Sequence, residues 1–170
     1  DPHVMTTPDW RALYPFDSTW HALPAGRLHY VDEGTEHADR GTLLFVHGNP
    51  TWSFHWRYLI GGLSDRYRTI APDHLGFGLS DRPDDFAYTP EAHAGTFQTF
   101  IDRIGLERFT LVVHDFGGPI ALPIALEQPS RVKRLVVLNS WMWSFADDPA
   151  MAKAAKMAGG KLVRFLYRHF

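Results

Sequence analysis

The sequence has 170 residues, 17 basic and 19 acidic, for a formal net charge of -2, so no strong field exists to attract nucleic acid or an anionic membrane. It has no cysteine, which excludes a disulfide framework, a thiolate nucleophile and a cysteine-zinc site, and which is compatible with a reducing, cytoplasmic compartment. The length suits one domain with a real core, and the ten histidines form no HExxH or HxH run, so they are expected at surface, capping or core positions rather than as metal ligands.

No apolar run approaches the roughly 20 residues of a bilayer-spanning helix, and Asp1 to Trp10 is too polar for a secretory signal. Residue 1 is Asp rather than Met, which leaves room for an upstream piece. Trp20 to Asp32 alternates around Gly26, as two short strands joined by a Pro/Gly turn would. Thr42 to Val46 is a continuous apolar run, the pattern of a strand buried on both faces, and it breaks at His47-Gly48-Asn49-Pro50. Thr51 is expected to cap a helix in which Trp52, Trp56, Leu59, Ile60 and Leu63 form one apolar stripe.

Tyr67 to Ala71 predicts another strand, followed by the Gly-rich loop from Pro72 to Pro83. Thr89 and Pro90 supply a cap and a first-turn proline for a second helix, whose stripe is His93, Phe97, Phe100, Ile101 and Ile104, with Gly105 ending it. Arg108 to Val113 reads as a strand, Phe116 to Glu127 as a helix stopped before Pro129, and Lys133 to Leu138 as a further strand. Helices alternating with wholly apolar strands predict an α/β fold with a mainly parallel sheet covered on both faces. After Ser140 the character changes to Trp-, Met-, Ala- and Lys-rich helical sequence, divided at Gly159-Gly160. The piece from Lys161 to Phe170 has a basic face and an apolar face, as a helix docked on a domain does.

Chemistry is expected where the strand before Asp115 turns at once into a helix through Phe116-Gly117-Gly118. A sharp strand-to-helix turn lifts a nucleophile above the sheet, and the two glycines omit the β-carbons that would collide there. Alone, Asp-x-Gly-Gly is a turn or cap former, and His47-Gly48-Asn49-Pro50 is a tight turn. Together the two loops pair a carboxylate with preorganised donors. The backbone N–H groups of Asn49 and Phe116 are the candidate oxyanion donors, one from each loop. His114 is Asp115's neighbour on the strand and so points to the opposite face, which argues against it as the base.

The runs His47-Gly48-Asn49-Pro50-Thr51-Trp52 with Trp56-Arg57, Asp73-His74-Leu75-Gly76-Phe77-Gly78-Leu79-Ser80-Asp81, Val113-His114-Asp115 and Leu138-Asn139-Ser140-Trp141-Met142-Trp143 together resemble haloalkane dehalogenases of the α/β-hydrolase fold. The resemblance runs from about Trp20 to Trp143. It implies residues 1–140 as the amino-terminal part of the core domain and 141–170 as the start of a helical cap. It also implies a substrate that is a small molecule, a haloalkane or an epoxide, with no cofactor, metal, nucleic acid or membrane partner. Asp115 is implied as the nucleophile that displaces halide from a saturated carbon and becomes an alkyl ester. Asn49 is implied as a halide-contacting amide, with Phe116 and Trp141 beside the leaving group.

Three features depart from that family's pattern. Val113 stands where a small residue is usual. Phe116 replaces a tryptophan whose indole N–H holds the halide, a hydrogen bond to a charge worth roughly 1.5–3 kcal/mol. The histidine that activates water follows the last strand in the family, and Asn139 stands where some relatives place the orienting acid. The chain is therefore expected to be truncated inside the domain, to alkylate without turnover, and to self-associate through an exposed sixth strand. An epoxide hydrolase with the same aspartate is the nearest rival, a serine esterase would need Ser at 115, and a non-catalytic fragment is the reading from a different class.

Overall fold

A computed structural model describes residues 9–143 and 147–158. The basic amphipathic piece from Lys161 to Phe170 lies outside the described residues. Six strands form one sheet, β1 (Thr19–Leu23), β2 (Gly26–Glu33), β3 (Thr42–Val46), β4 (Arg68–Pro72), β5 (Phe109–Asp115) and β6 (Val132–Ser140). Their spatial order is β1-β2-β4-β3-β5-β6. The hairpin expected around Gly26 is present, and β2 continues antiparallel against β4, whereas β4, β3, β5 and β6 run parallel. Four helices follow the strands, α1 (Arg57–Leu63), α2 (Pro90–Arg103), α3 (Gly117–Glu127) and α4 (Pro149–Ala158). None of the described helices is long and apolar enough to cross a membrane.

The period of two along each strand decides which of two cores a side chain enters. Leu44 and Val46 of β3, with Leu111 and Val113 of β5, pack with Phe97, Phe100 and Ile101 of α2 and Ile120 and Ile124 of α3. Phe45 and Val112, the residues between them, pack on the other face with Trp56, Ile60, Val31 and Ala71. Each such aromatic or aliphatic side chain removed from water contributes roughly 1.5–3 kcal/mol. Val113, the departure from a small residue, is fully buried in the first of these cores.

The second helix starts as expected, with the Thr89 side chain accepting from the Ala92 N–H and Pro90 in the first turn. The first does not. Ser53–Trp56 forms a 3-10 turn and the α-helix begins only at Arg57. Thr51 donates its hydroxyl to the Gly48 carbonyl instead of capping a helix. Leu59 is exposed, so the helical part of the expected stripe is reduced to Trp56 and Ile60, with Leu63 partly buried against the same core. Trp52 packs instead among Trp10, Tyr14 and Phe54, a tertiary cluster that overrides the local periodicity. Strand β6 pairs only with β5 among the described residues, and Leu135, Val136, Val137 and Leu138 are all exposed.

Candidate active site

Strand β5 ends at Asp115, whose φ of +51° lies in the left-handed region. An L-residue with a β-carbon pays roughly 1–2 kcal/mol to stand there, so the surroundings must hold it in place. Two contacts do so. The Ser140 hydroxyl, at the end of β6, donates to the Asp115 carbonyl at 2.6 Å. The Asn49 backbone N–H donates to Asp115 Oδ1 at 2.9 Å, joining residues 66 apart in sequence. Parallel pairing of Val46 with Val113 brings the ends of β3 and β5, and hence the two loops, side by side.

The glycines explain how the loops approach so closely. A β-carbon on Gly48 would lie 2.4 Å from both Cβ and Oδ1 of Asp115. One on Gly117 would lie 2.4 Å from the Val46 carbonyl oxygen, and one on Gly118 2.0 Å from Ser140 Oγ and 2.4 Å from the Trp141 carbonyl oxygen. The crowding expected between the helix and its own strand is therefore with the neighbouring strand ends. Phe116 precedes α3 and packs edge-on against Trp141, with ring centres 5.1 Å apart. His114 stacks on His55 at 4.6 Å and packs edge-on against Trp56, with its Nδ1 buried and without a hydrogen-bond partner.

The Asn49 loop is itself braced by residues whose roles were not evident from sequence. The His74 backbone N–H donates to His47 Nε2 at 3.0 Å, which makes that nitrogen an acceptor. The ring hydrogen of a neutral His47 is then on Nδ1, which donates to the Gly48 carbonyl at 2.8 Å. His74 Nε2 donates to the His47 carbonyl at 3.1 Å. Burial pushes the pKa of both imidazoles down, His74 the further of the two. Behind them Asp73 is fully buried and accepts from His29 Nδ1, the Leu79 N–H and the Ser53 N–H at 2.9, 2.9 and 2.7 Å. Burial pushes the Asp73 carboxyl up, but the His29 hydrogen bond and the neighbouring imidazoles outweigh it, and the net shift is downward.

The histidines that form no cluster in sequence do form one in space. His74 and His93 rings are 5.4 Å apart, and both line a cavity of about 190 Å³ with Gly48, Asn49, Phe77, Tyr88, Phe116 and Ile120. A larger cavity of about 390 Å³ lies elsewhere, at the opposite ends of the strands near Thr42, Arg108 and Lys133. It contains none of the residues of the Asp115 bend. Among the described residues no group of histidines and acids is arranged to hold a metal ion.

Residues 41–169 match the family model described as alpha/beta hydrolase fold. The chain is 45% identical over 166 residues to Haloalkane dehalogenase 2 of Mycobacterium bovis, covering 96% of this chain and 56% of that protein. It is 40% identical over 145 residues to the cis-3-alkyl-4-alkyloxetan-2-one decarboxylase of Shewanella oneidensis, covering 84% of this chain and 44% of that protein. Among solved structures, an epoxide hydrolase from hot-environment metagenomes is similar at a TM-score of 0.66 and 41% identity, covering 74% of this chain and 42% of that one. The chain spans about half the length of the curated relatives it matches.

Proposed function

The chain belongs to the alpha/beta hydrolase fold family, and on that premise we propose that Asp115 is the nucleophile of a haloalkane dehalogenase type of reaction. The observation that carries the reading is the Asn49 N–H held 2.9 Å from Asp115 Oδ1. The other carboxylate oxygen attacks the saturated carbon, the new C–O bond forms as the carbon–halogen bond breaks, and halide leaves with the bonding pair. The product is an alkyl ester on Asp115. Oδ1 becomes the ester carbonyl oxygen, and when water adds it becomes the oxyanion that the Asn49 and Phe116 N–H groups stabilise. The Asn49 amide, with Trp141 beside Phe116, contacts the departing halide.

Hydrolysis of that ester needs a base to take a proton from water. His114 stacks on His55, and His47 and His74 hold each other's hydrogen bonds, so we assign none of them this role. Residues 1–140 serve in this reading as core and 141–170 as the start of a cap, and the 170-residue chain stops at the adduct. Epoxide opening by the same aspartate is the second reading. It is favoured by Phe116, which offers no indole donor, and by the 41%-identical epoxide hydrolase structure.

Intact-mass measurement after exposure to 1-iodobutane and, separately, to 1,2-epoxybutane tests both. The expected result is at most one butyl adduct per chain from the iodide, and none on a folded Asp115→Asn variant. An adduct from the epoxide alone would transfer the assignment to the second reading. No adduct from either reagent on a chain with native circular dichroism would overturn both.

Pairing of two copies along β6 belongs to the same reading, supported by four consecutive exposed apolar residues on a strand with one partner among the described residues. Light scattering is expected to show concentration-dependent dimers or larger species, reduced by Val136→Lys. A monomer at all concentrations would refute it.

A further inference from the structure

Among the described residues, all but three arginines have the guanidinium engaged within the molecule. Arg27, Arg66, Arg68 and Arg131 pair with carboxylates. Arg57, Arg82 and Arg103 donate to backbone carbonyls, and Arg11 lies over the Trp10 ring. The side chains of Arg40, Arg108 and Arg134 have no such partner among the described residues, and all three line the cavity of about 390 Å³ at the amino-terminal ends of β3, β5 and β6. Lys133 joins them there, and the single acid of the lining, Asp39, is bonded to none of the four.

Four cations around one concavity, with one carboxylate among them, leave an uncompensated positive field that the walls concentrate. Leu43 pairs with Thr110 and Thr110 with Arg134, so a single cross-strand row of the sheet supplies part of the lining. Tyr67 and Thr110 add hydroxyl donors. Thr110 precedes Asp115 by five residues on β5, which at about 3.3 Å per residue puts the cavity roughly 16 Å from the bend. The two sites share no residue.

The distribution of charge selects a compact guest. With these four cations and Asp39 set aside, 13 of the 17 basic and 18 of the 19 acidic residues remain, so the rest of the chain is net negative. A nucleic acid or an anionic bilayer extends past the cavity and meets that negative remainder, whereas a small anion meets only the cations. Guanidinium forks pair with both carboxylates and phosphates, but a tetrahedral phosphoryl group presents oxygens to donors arriving from several sides, which a planar carboxylate does not. We propose that this cavity binds the diphosphate group of a small phosphorylated molecule, with Arg40, Arg108 and Arg134 as the guanidinium donors and Lys133 as a point charge. The site is independent of the role of Asp115.

Calorimetric titration of the 170-residue chain with inorganic pyrophosphate, in magnesium-free buffer, tests this. One site per chain is expected, with a dissociation constant on the order of 0.1 mM that weakens as salt is raised. Arg108→Gln and Arg134→Gln should each weaken binding at least about tenfold, the loss of one hydrogen bond to a charged partner. Both side chains are exposed and unpaired, so the variants should keep native circular dichroism, and Arg40→Gln provides a third. Arg82→Gln, which removes a cation away from the cavity, and Asp115→Asn should bind as the parent does. Inorganic phosphate and citrate should bind at least about tenfold more weakly than pyrophosphate. No saturable heat, equal affinity for citrate, an Arg82→Gln loss as large as that of Arg108→Gln, or tighter binding of a single-stranded oligonucleotide than of pyrophosphate would each overturn the proposal.

Discussion

Gly117→Ala is expected to destabilise the fold by about 3 kcal/mol and to abolish adduct formation at Asp115, whereas Gly61→Ala should leave both intact or raise stability. The contrast rests on what a β-carbon meets. At Gly117 it would lie 2.4 Å from the Val46 carbonyl oxygen and 3.0 Å from that of His47. These are backbone atoms at the end of β3 and cannot rotate aside. Relief requires α3 to move off the sheet or the His47–Asn49 loop to be displaced, and overpacking of this kind costs about 1–3 kcal/mol, occasionally more. Either movement separates the Asn49 N–H from Asp115 Oδ1. Gly61 lies inside α1 with nothing within 4 Å of the added carbon. There the same substitution gains up to about 1 kcal/mol through helix propensity alone. Urea unfolding of the two variants and of the parent, with adduct yield measured alongside, checks the prediction. Equal midpoints for Gly117→Ala and Gly61→Ala would show that the close approach at the bend does not govern stability.

The elements that sequence made legible are those whose side chains answer to one constraint. Thr42–Val46 and Phe109–Val113 are apolar at every step but Thr42 and Thr110 because both of their faces are covered, and that pattern survives in any α/β context. The start of α1 was not legible, because Trp52 answers to Trp10, Tyr14 and Phe54 rather than to its own helix. The pairing of Asn49 with Asp115 could be anticipated, since each residue follows an apolar strand and the motifs travel together. The insertion of β4 between β2 and β3 was not, because neither the hydrophobic pattern nor the loop lengths specify which edge a strand joins. Least legible was the histidine cluster. Residues 47, 74 and 93 come from three different segments, and nothing in their spacing announces that His74 packs against both of the other rings.

That cluster sets the acid limit of the fold. His47, His74 and His93 are all buried, and burial holds the pKa of each below the ordinary value of 6.5, His93 at about 4. In the unfolded chain all three take up protons as pH falls through about 6.5, while in the native state they resist. The unfolded state then binds more protons, so stability falls with falling pH. The loss begins near pH 6.5 and continues, for His93, to about 4, with each histidine adding at most about 1.4 kcal/mol per pH unit to the slope. His55 is shifted in the same direction and adds to it, since burial and the adjacent His114 both disfavour its charge. Asp73 acts later, because its net downward shift contributes stability that is lost only as pH falls below the ordinary carboxylate value of 3.8. Urea midpoints measured at pH 7.5, 6 and 5 are therefore expected to fall steeply, well above the range where carboxylates protonate. His93→Leu should flatten the profile between pH 6.5 and 4, because leucine has no proton to exclude. A midpoint constant from pH 7.5 to 5 would mean that the three rings are solvated or already charged in the native state, and the tautomer assigned to His47, with the brace it gives the Asn49 loop, would fall with it.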